Sequence, residues 1–157
     1  MARKIPGWDE HFLDIAKLCS QRSKDASTQV GAVIVGVDRE IVSTGYNSFP
    51  RKINDNIPER QERPEKYFWF EHAERNAIYN AARHGASLKG CTLYVQAMPC
   101  TDCARGIVQV GIKRVVMDKK ENEEWLKRPK WKEHMERSLQ LFGEAGVEVV
   151  LWEKAGD

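Results

Sequence analysis

The chain predicts an α/β fold built on a mixed sheet, and three observations carry that expectation. Two short β-branched runs, at 30–35 and 40–46, flank Gly36, Asp38 and Arg39 and read as an antiparallel hairpin. Further apolar runs then alternate with segments of helical periodicity, the pattern of βαβ units. A helical segment separates the last two runs, so that final pair is expected to be parallel with a right-handed crossover.

Taken in order, residues 8–22 form an amphipathic helix, because Trp8, Phe12, Ile15, Ala16 and Cys19 recur at helical spacing. The hairpin follows. Residues 73–84 are a second helix, closed by His84 ahead of Gly85, where a cation suits the helix dipole. Residues 92–96 are a strand, and Cys91, just after Lys89-Gly90, reads as core. Thr101 and Asp102 are capping residue types that open a helix over 102–110. A strand at 114–117, a helix at 131–144 and a strand at 147–151 complete the series. Residues 118–131, with Lys119, Lys120, Trp125, Lys127 and Arg128, admit three readings: a surface loop, a subunit contact or part of a nucleotide site.

At 157 residues the chain is expected to be a single domain, 1–157, long enough to bury a core. A formal charge of +2 leaves no electrostatic case for strong nucleic-acid binding. No stretch approaches transmembrane length, and Met1-Ala2-Arg3-Lys4-Ile5-Pro6-Gly7 lacks the apolar core of a secretory leader, so no membrane partner is expected. Four cysteines, two of them in a metal-ligand spacing, fit the reducing cytoplasm better than a disulfide framework.

One segment departs from this economy. Residues 47–71 form a long insertion without clear periodicity, and loops beyond about 12–15 residues are usually functional or disordered. It carries Arg51, Lys52, Arg60, Arg63 and Lys66, then Tyr67, Phe68, Trp69 and Phe70. Two readings stand: a solvated charge run followed by core aromatics, or a substrate lid whose cations meet a phosphate.

The chemistry concentrates in His72-Ala73-Glu74 and Pro99-Cys100-Thr101-Asp102-Cys103. One imidazole and two thiolates suit zinc, and three ligands leave a fourth position for water, whereas a closed structural site would want a fourth protein ligand. Zinc lowers the pKa of a bound water to about 7. Glu74 stands two residues from the histidine, where its carboxylate can touch that water without binding the metal. A C-x-x-C alone would equally be a redox pair or half a zinc knuckle, and a lone H-x-E says little; together they point to a catalytic zinc. Both halves open helices, whose N-termini favour the thiolate form.

The H-x-E…P-C-x-x-C pattern is the signature of the zinc nucleobase deaminases, and the chain resembles the deoxycytidylate (dCMP) deaminases of the cytidine deaminase superfamily. The resemblance runs from Ser23-Lys24-Asp25 through Gln29-Val30-Gly31-Ala32, Gly45-Tyr46-Asn47-Ser48-Phe49-Pro50 and His72-Ala73-Glu74-Arg75-Asn76-Ala77-Ile78. It continues through Gly90-Cys91-Thr92-Leu93-Tyr94-Val95 and Pro99-Cys100-Thr101-Asp102-Cys103-Ala104 to Gly111-Ile112-Lys113. It implies a cytidine-deaminase-like three-layer α/β/α fold with a five-stranded mixed sheet. It also implies one Zn2+ per subunit, a homo-oligomer (often a hexamer), and hydrolysis of dCMP to dUMP and ammonia.

In that scheme Glu74 protonates N3 and relays a proton to the departing amine, while His72, Cys100 and Cys103 hold the metal. Asn47 matches an asparagine that holds the nucleoside, and Ser23, Lys24 and Asp25 match a segment near the nucleotide. Arg83 matches an arginine tied to subunit contacts and regulation; by position alone it is equally a solvent-facing residue near a helix end. Tyr46 and Ser48 fall where regulated members read Gly-Tyr-Asn-Gly-x-Pro and bind dCTP or dTTP with Mg2+. Ser48 replaces the second glycine, which lets backbone approach phosphate and adopt φ > 0. Phe68-Trp69-Phe70-Glu71 is bulkier than the family pattern and predicts a reshaped pocket.

Deaminases of another nucleotide or base (a modified dCMP, a purine nucleotide, a tRNA adenosine) share the zinc motif; Ser23-Lys24-Asp25 and the long insertion fit the tRNA adenosine enzymes less well. A non-catalytic, zinc-stabilised binding module would keep His72, Cys100 and Cys103 and have no need of Glu74.

Overall fold

The structure is a computed structural model that describes residues 1–155. The first amphipathic pattern becomes helix α1 (Trp8–Ser20), which buries Phe12, Leu13 and Ala16. Strands β1 (Gly31–Val35) and β2 (Ile41–Tyr46) pair antiparallel with a register shift between Ile34 and Val35. Arg39 turns the hairpin with φ 65° and lays its guanidinium 4.9 Å from the Trp8 ring centre.

The insertion is not a bare loop. It contains a 3-10 turn (Pro58–Gln61) and a short helix α2 (Lys66–Trp69). Then come α3 (Ala73–His84), β3 (Thr92–Val95), α4 (Thr101–Gln109) and β4 (Arg114–Asp118). Gly85 ends α3 in the left-handed conformation, φ 69°, as expected of a glycine after the last helical turn.

Residues 118–131, which admitted a surface-loop reading, instead form α5 (Lys119–Leu126) and the first turn of α6 (Pro129–Ala145). Asp118 caps α5 by accepting from the Glu121 backbone N–H at 2.9 Å, and Pro129 opens α6 at the position where its missing N–H costs nothing. Strand β5 (Glu148–Trp152) closes the chain's regular structure.

The five strands lie in the order β2-β1-β3-β4-β5, with β1–β3 antiparallel and β3–β4 and β4–β5 parallel. The parallel last pair and the antiparallel hairpin therefore stand as expected. One face of the sheet packs Val33, Val35, Tyr94 and Val116 under α1. The other packs Ile34, Leu93, Val95, Val115 and Met117 under α3, α4 and α6, whose inward residues include Ala73, Ala77, Ile107 and Phe142. Two glycines set the layer spacing: a Cβ at Gly31 would overlap the Ala16 carbonyl of α1, and one at Gly45 the Ala73 carbonyl of α3.

Because β1 runs against β3, residues 28–31 enter beside the C-terminal end of β3. That junction, where strand direction changes, is the usual place for a ligand crevice in an open α/β sheet. Among the described residues no helix is long and apolar enough to cross a membrane.

Candidate metal centre and active-site cleft

Two helix N-termini carry the chemistry. His72 is the N-cap of α3 and Glu74 lies in its first turn; Cys100 is the N-cap of α4 and Cys103 lies in its first turn. The segment between β3 and α4 is pinned from two helices. Asn122 of α5 accepts from the Met98 N–H at 2.9 Å, and Ser138 of α6 donates to the Pro99 carbonyl at 2.7 Å. The thiols thus stand on a braced corner, where the α4 dipole favours negative charge.

His72 Nδ1 lies 3.4 Å from Cys100 Sγ and 3.6 Å from Cys103 Sγ. The three ligand atoms all fall within 4.8 Å of one another. A tetrahedral centre with metal–sulfur bonds of about 2.3 Å and metal–nitrogen bonds of about 2.0 Å puts its N and S corners about 3.5 Å apart. The donor set therefore fits zinc in chemistry and in spacing. A hydrogen bond from the Cys103 thiol, joined by His72, holds Cys100 far below the usual thiol range, and the same contact drives Cys103 upward.

Glu74 is buried, and its Oε2 lies 3.7 Å from Cys103 Sγ. Burial pushes its carboxyl up. Beside it, Arg75 donates to Glu71 at 2.5 Å and approaches Asp102 at 3.9 Å, half-enclosed against the thiol pair.

His72, Glu74, Arg75, Cys100 and Asp102 line a cleft of about 420 Å³. Thr28, Val30, Asn47, Ala73, Ala97 and Met98 also line it. The insertion contributes Arg63, Lys66, Tyr67 and Phe70, and the α5–α6 corner contributes Trp125, Arg128, Lys130, Trp131 and His134.

The residues singled out from the sequence separate into groups. Asn47 is buried in the cleft wall; its Oδ1 accepts from the Val30 N–H and its Nδ2 donates to the Thr28 carbonyl, both at 2.8 Å. Asp25 also lines the cleft, as a buried partner of Lys66 at 2.7 Å. Burial acts upward on Asp25 most strongly, but hydrogen bonds from Lys66 and Ser27 outweigh it and hold the carboxyl below its usual value. Ser23 stands behind this wall, donating to the Asn47 carbonyl at 2.8 Å, and Lys24 points outward to Asp55 at 2.6 Å.

Ser48 exchanges both backbone hydrogen bonds with Glu71, at 3.1 and 2.8 Å, and its hydroxyl accepts from Asn76 at 3.2 Å. Tyr46 ends β2, its carbonyl accepting from Asn76 at 2.8 Å. Arg83 is exposed in the last turn of α3. Of the four aromatics before His72, Tyr67 and Phe70 reach the cleft. Phe68 is 80% exposed, and Trp69 carries Arg60 on its ring at 3.7 Å, so the bulk of that run mostly faces away from the site.

The sequence left 118–131 open between a surface loop, a subunit contact and a nucleotide site; the structure lines the cleft with Trp125 and Arg128 and adds Trp131 and His134, which the sequence did not single out. Trp131 lies 4.9 Å from Trp125 and 6.5 Å from the His72 ring, and His134 Nδ1 stands 3.0 Å from the Thr101 hydroxyl. The available signal was two tryptophans and a histidine interleaved with lysines and arginines, too polar a stretch to register as a core face. The buried state of Lys66 was equally hidden, because its partner Asp25 is 41 residues away.

Fold and centre together define an α/β zinc-binding domain of the deaminase kind. Residues 6–119 match the family described as the cytidine and deoxycytidylate deaminase zinc-binding region, and the chain belongs to that family. It is 42% identical over 145 residues to an uncharacterized deaminase in the luxG 3′ region of Aliivibrio fischeri, covering 92% of this chain and 93% of that one. It is 44% identical over 114 residues to the mouse deoxycytidylate deaminase, covering 69% of this chain but only 63% of the mouse protein. In structure it is similar to the dCMP deaminase of cyanophage S-TIM5 in complex with dCMP and dUMP. That match has a TM-score of 0.72 at 26% identity and covers 94% of this chain and 98% of the phage chain.

Proposed function

We propose that this chain is a hydrolytic deaminase that converts dCMP and water to dUMP and ammonia. The observation that carries the reading is Glu74: a buried carboxylate beside a three-ligand N and S group, facing a cleft wide enough for a nucleotide. A structural zinc site needs no such carboxylate. Similarity to the mouse and cyanophage enzymes supports dCMP as the substrate.

His72, Cys100 and Cys103 would hold Zn2+, which supplies the Lewis acidity that makes water a nucleophile near neutral pH. Glu74 takes the proton from that water and delivers it to N3 of the base as the C4–O bond forms. The same carboxylate then takes the second proton from the new C4 hydroxyl and carries it to the amine, which leaves as ammonia when the C4–N bond breaks and the C4 carbonyl forms. Asn47, held by two backbone bonds, keeps one N–H and one lone pair free to orient the nucleoside. Phe70, packed on Phe49 at 4.5 Å, gives the cleft an apolar surface.

The homo-oligomer belongs to the same proposal at a finer level, whereas a dCTP or dTTP response with Mg2+ does not. Ser48 supports an unregulated enzyme, because its backbone N–H and carbonyl and its hydroxyl are already engaged. Light scattering on the purified protein reads the oligomer.

The test is ammonia release by zinc-loaded protein across dCMP, CMP, deoxycytidine, dAMP, dGMP and 5-substituted dCMP, each with and without dCTP and Mg2+. We expect dCMP to lead, loss of its phosphate to remove most of kcat/KM, and dCTP to leave the rate unchanged. Glu74→Gln is expected to lower kcat by at least about a thousandfold while zinc content and Tm hold. Turnover led by another nucleotide would move the substrate, and undiminished turnover by Glu74→Gln would end the mechanism.

A further inference from the structure

The cleft holds more cations than it uses internally, and sorting them by partner points to one. Lys66 is neutralised by Asp25, and Arg75 by Glu71. Arg60 stacks on Trp69 and donates to the Asn54 carbonyl, and Arg51 donates to Asn80, neither lining the cleft. Arg63 reaches the cleft with its Nε–H committed to the Tyr67 hydroxyl at 2.9 Å. Arg128 and Lys130 line the cleft and form no ion pair among the described residues.

Arg128 is also the better placed of these two. Its guanidinium sits 4.2 Å from the Trp125 ring centre, and Trp125 packs on Trp131, whose ring faces His72. Stacking on an aromatic face orients the guanidinium without neutralising it or occupying its hydrogen-bond donors. Arg128 is the N-cap of α6 and Pro129 follows it, so the backbone under the side chain is fixed as well. A planar, charged, unpaired fork on a stacked mount suits the bidentate grip of a phosphate.

We propose that Arg128, mounted on the Trp125–Trp131 stack, binds the 5′-phosphate of the nucleotide and is the residue that makes the enzyme select a nucleotide over a nucleoside. The inference rests on the deaminase reading. It places phosphate recognition on the α5–α6 corner rather than on the cations of the 47–71 insertion, and Lys130 adds charge beside it.

The experiment is the ratio of kcat/KM for dCMP to that for deoxycytidine, with Kd of dUMP and deoxyuridine by calorimetry as a readout independent of turnover. Arg128→Ala should lower the dCMP to deoxycytidine ratio about 30-fold, and weaken dUMP but not deoxyuridine to a similar extent. Arg128→Lys, which keeps the charge and loses the fork, should fall between. Trp125→Leu should shift the ratio the same way by a smaller factor, and Arg60→Ala should leave it alone. An unchanged ratio in folded, zinc-loaded Arg128→Ala overturns the proposal, as does collapse of the ratio in Arg63→Ala with none in Arg128→Ala. Absence of turnover on every nucleotide by the unmutated protein would instead defeat the deaminase reading, and the two failures are separable.

Discussion

At the scale of single residues, two of the three candidate metal ligands, His72 and Cys100, are also helix N-caps, and Cys103 stands in the first turn behind Cys100. His72 and Cys100 have extended backbones one residue before helices begin, which turns their side chains toward the helix entrance rather than along its flank. Replacing Cys100 by Ala therefore removes a ligand and leaves Cys103 and His72 without the bridge between them. We expect zinc content to fall at least about tenfold and activity with it; full zinc occupancy by elemental analysis in Cys100→Ala would remove it from the centre. That His72, Glu74, Cys100 and Cys103 come together was legible in the sequence, because the chemistry expected of them needs fixed short spacings. Lys66 was not. In sequence it is one cation in a run of charges, and only the fold brings Asp25 and Ser27 to its ammonium, at 2.7 and 3.1 Å.

At the scale of elements, α3 does two jobs. Its N-terminus carries the site, and its polar flank closes the edge of the sheet. Strand β2 is an edge strand, and its outward carbonyls at Thr44 and Tyr46 accept from Asn80 and Asn76 of α3, at 2.7 and 2.8 Å. Ser43 completes the seam by donating to the Ala77 carbonyl at 2.8 Å. Edge strands otherwise present unpaired backbone groups to other chains. Asn80→Ala and Asn76→Ala should each cost about 1–3 kcal/mol of stability in urea unfolding, because a carbonyl loses its donor; costs near zero would mean water replaces the amide. The ends of α3 were readable to the residue from its caps. Helix α5 was not, because Lys119-Lys120-Glu121-Asn122-Glu123-Glu124 shows no apolar stripe and its one buried residue in that run, Asn122, is polar.

At the scale of the whole molecule, the two faces of the sheet are joined to their helices by different means. On the site face apolar packing is joined by the amide and hydroxyl bonds between α3 and β2, whereas α1 is tied by a charged clamp. Arg114 of β4 donates both terminal nitrogens to Asp9, at 2.9 Å each, and Tyr94 of β3 donates its hydroxyl at 2.8 Å. The hydrogen bond from Arg114 holds the Asp9 carboxyl below its usual value against burial, and burial, then Asp9, pushes Tyr94 up to about 12. A carboxyl depressed in the folded state stabilises fully above its unfolded pKa of about 3.9 and loses that contribution as pH falls through the folded value. Asp9→Asn should thus be about 1–3 kcal/mol less stable than the parent at pH 6. The gap should narrow below pH 4, as urea midpoints at successive pH values will show; a gap that persists undiminished into the acid range would mean that Asp9 acts by shape alone.

The close sequence spacing of the proposed zinc ligands bears on the order in which the chain folds. His72 and Cys100 are 28 residues apart, and α3, β3 and α4 form one uninterrupted stretch between and around them. The remainder of the cleft arrives from residues 25–30, from Asn47 and the insertion, and from 125–134, so that the whole lining spans residues 25–134. Closing a short loop costs less entropy than closing a long one. An ion captured by the middle third would therefore act as a nucleus on which the termini later condense, and refolding should be faster when Zn2+ is present from the start than when it is added afterwards.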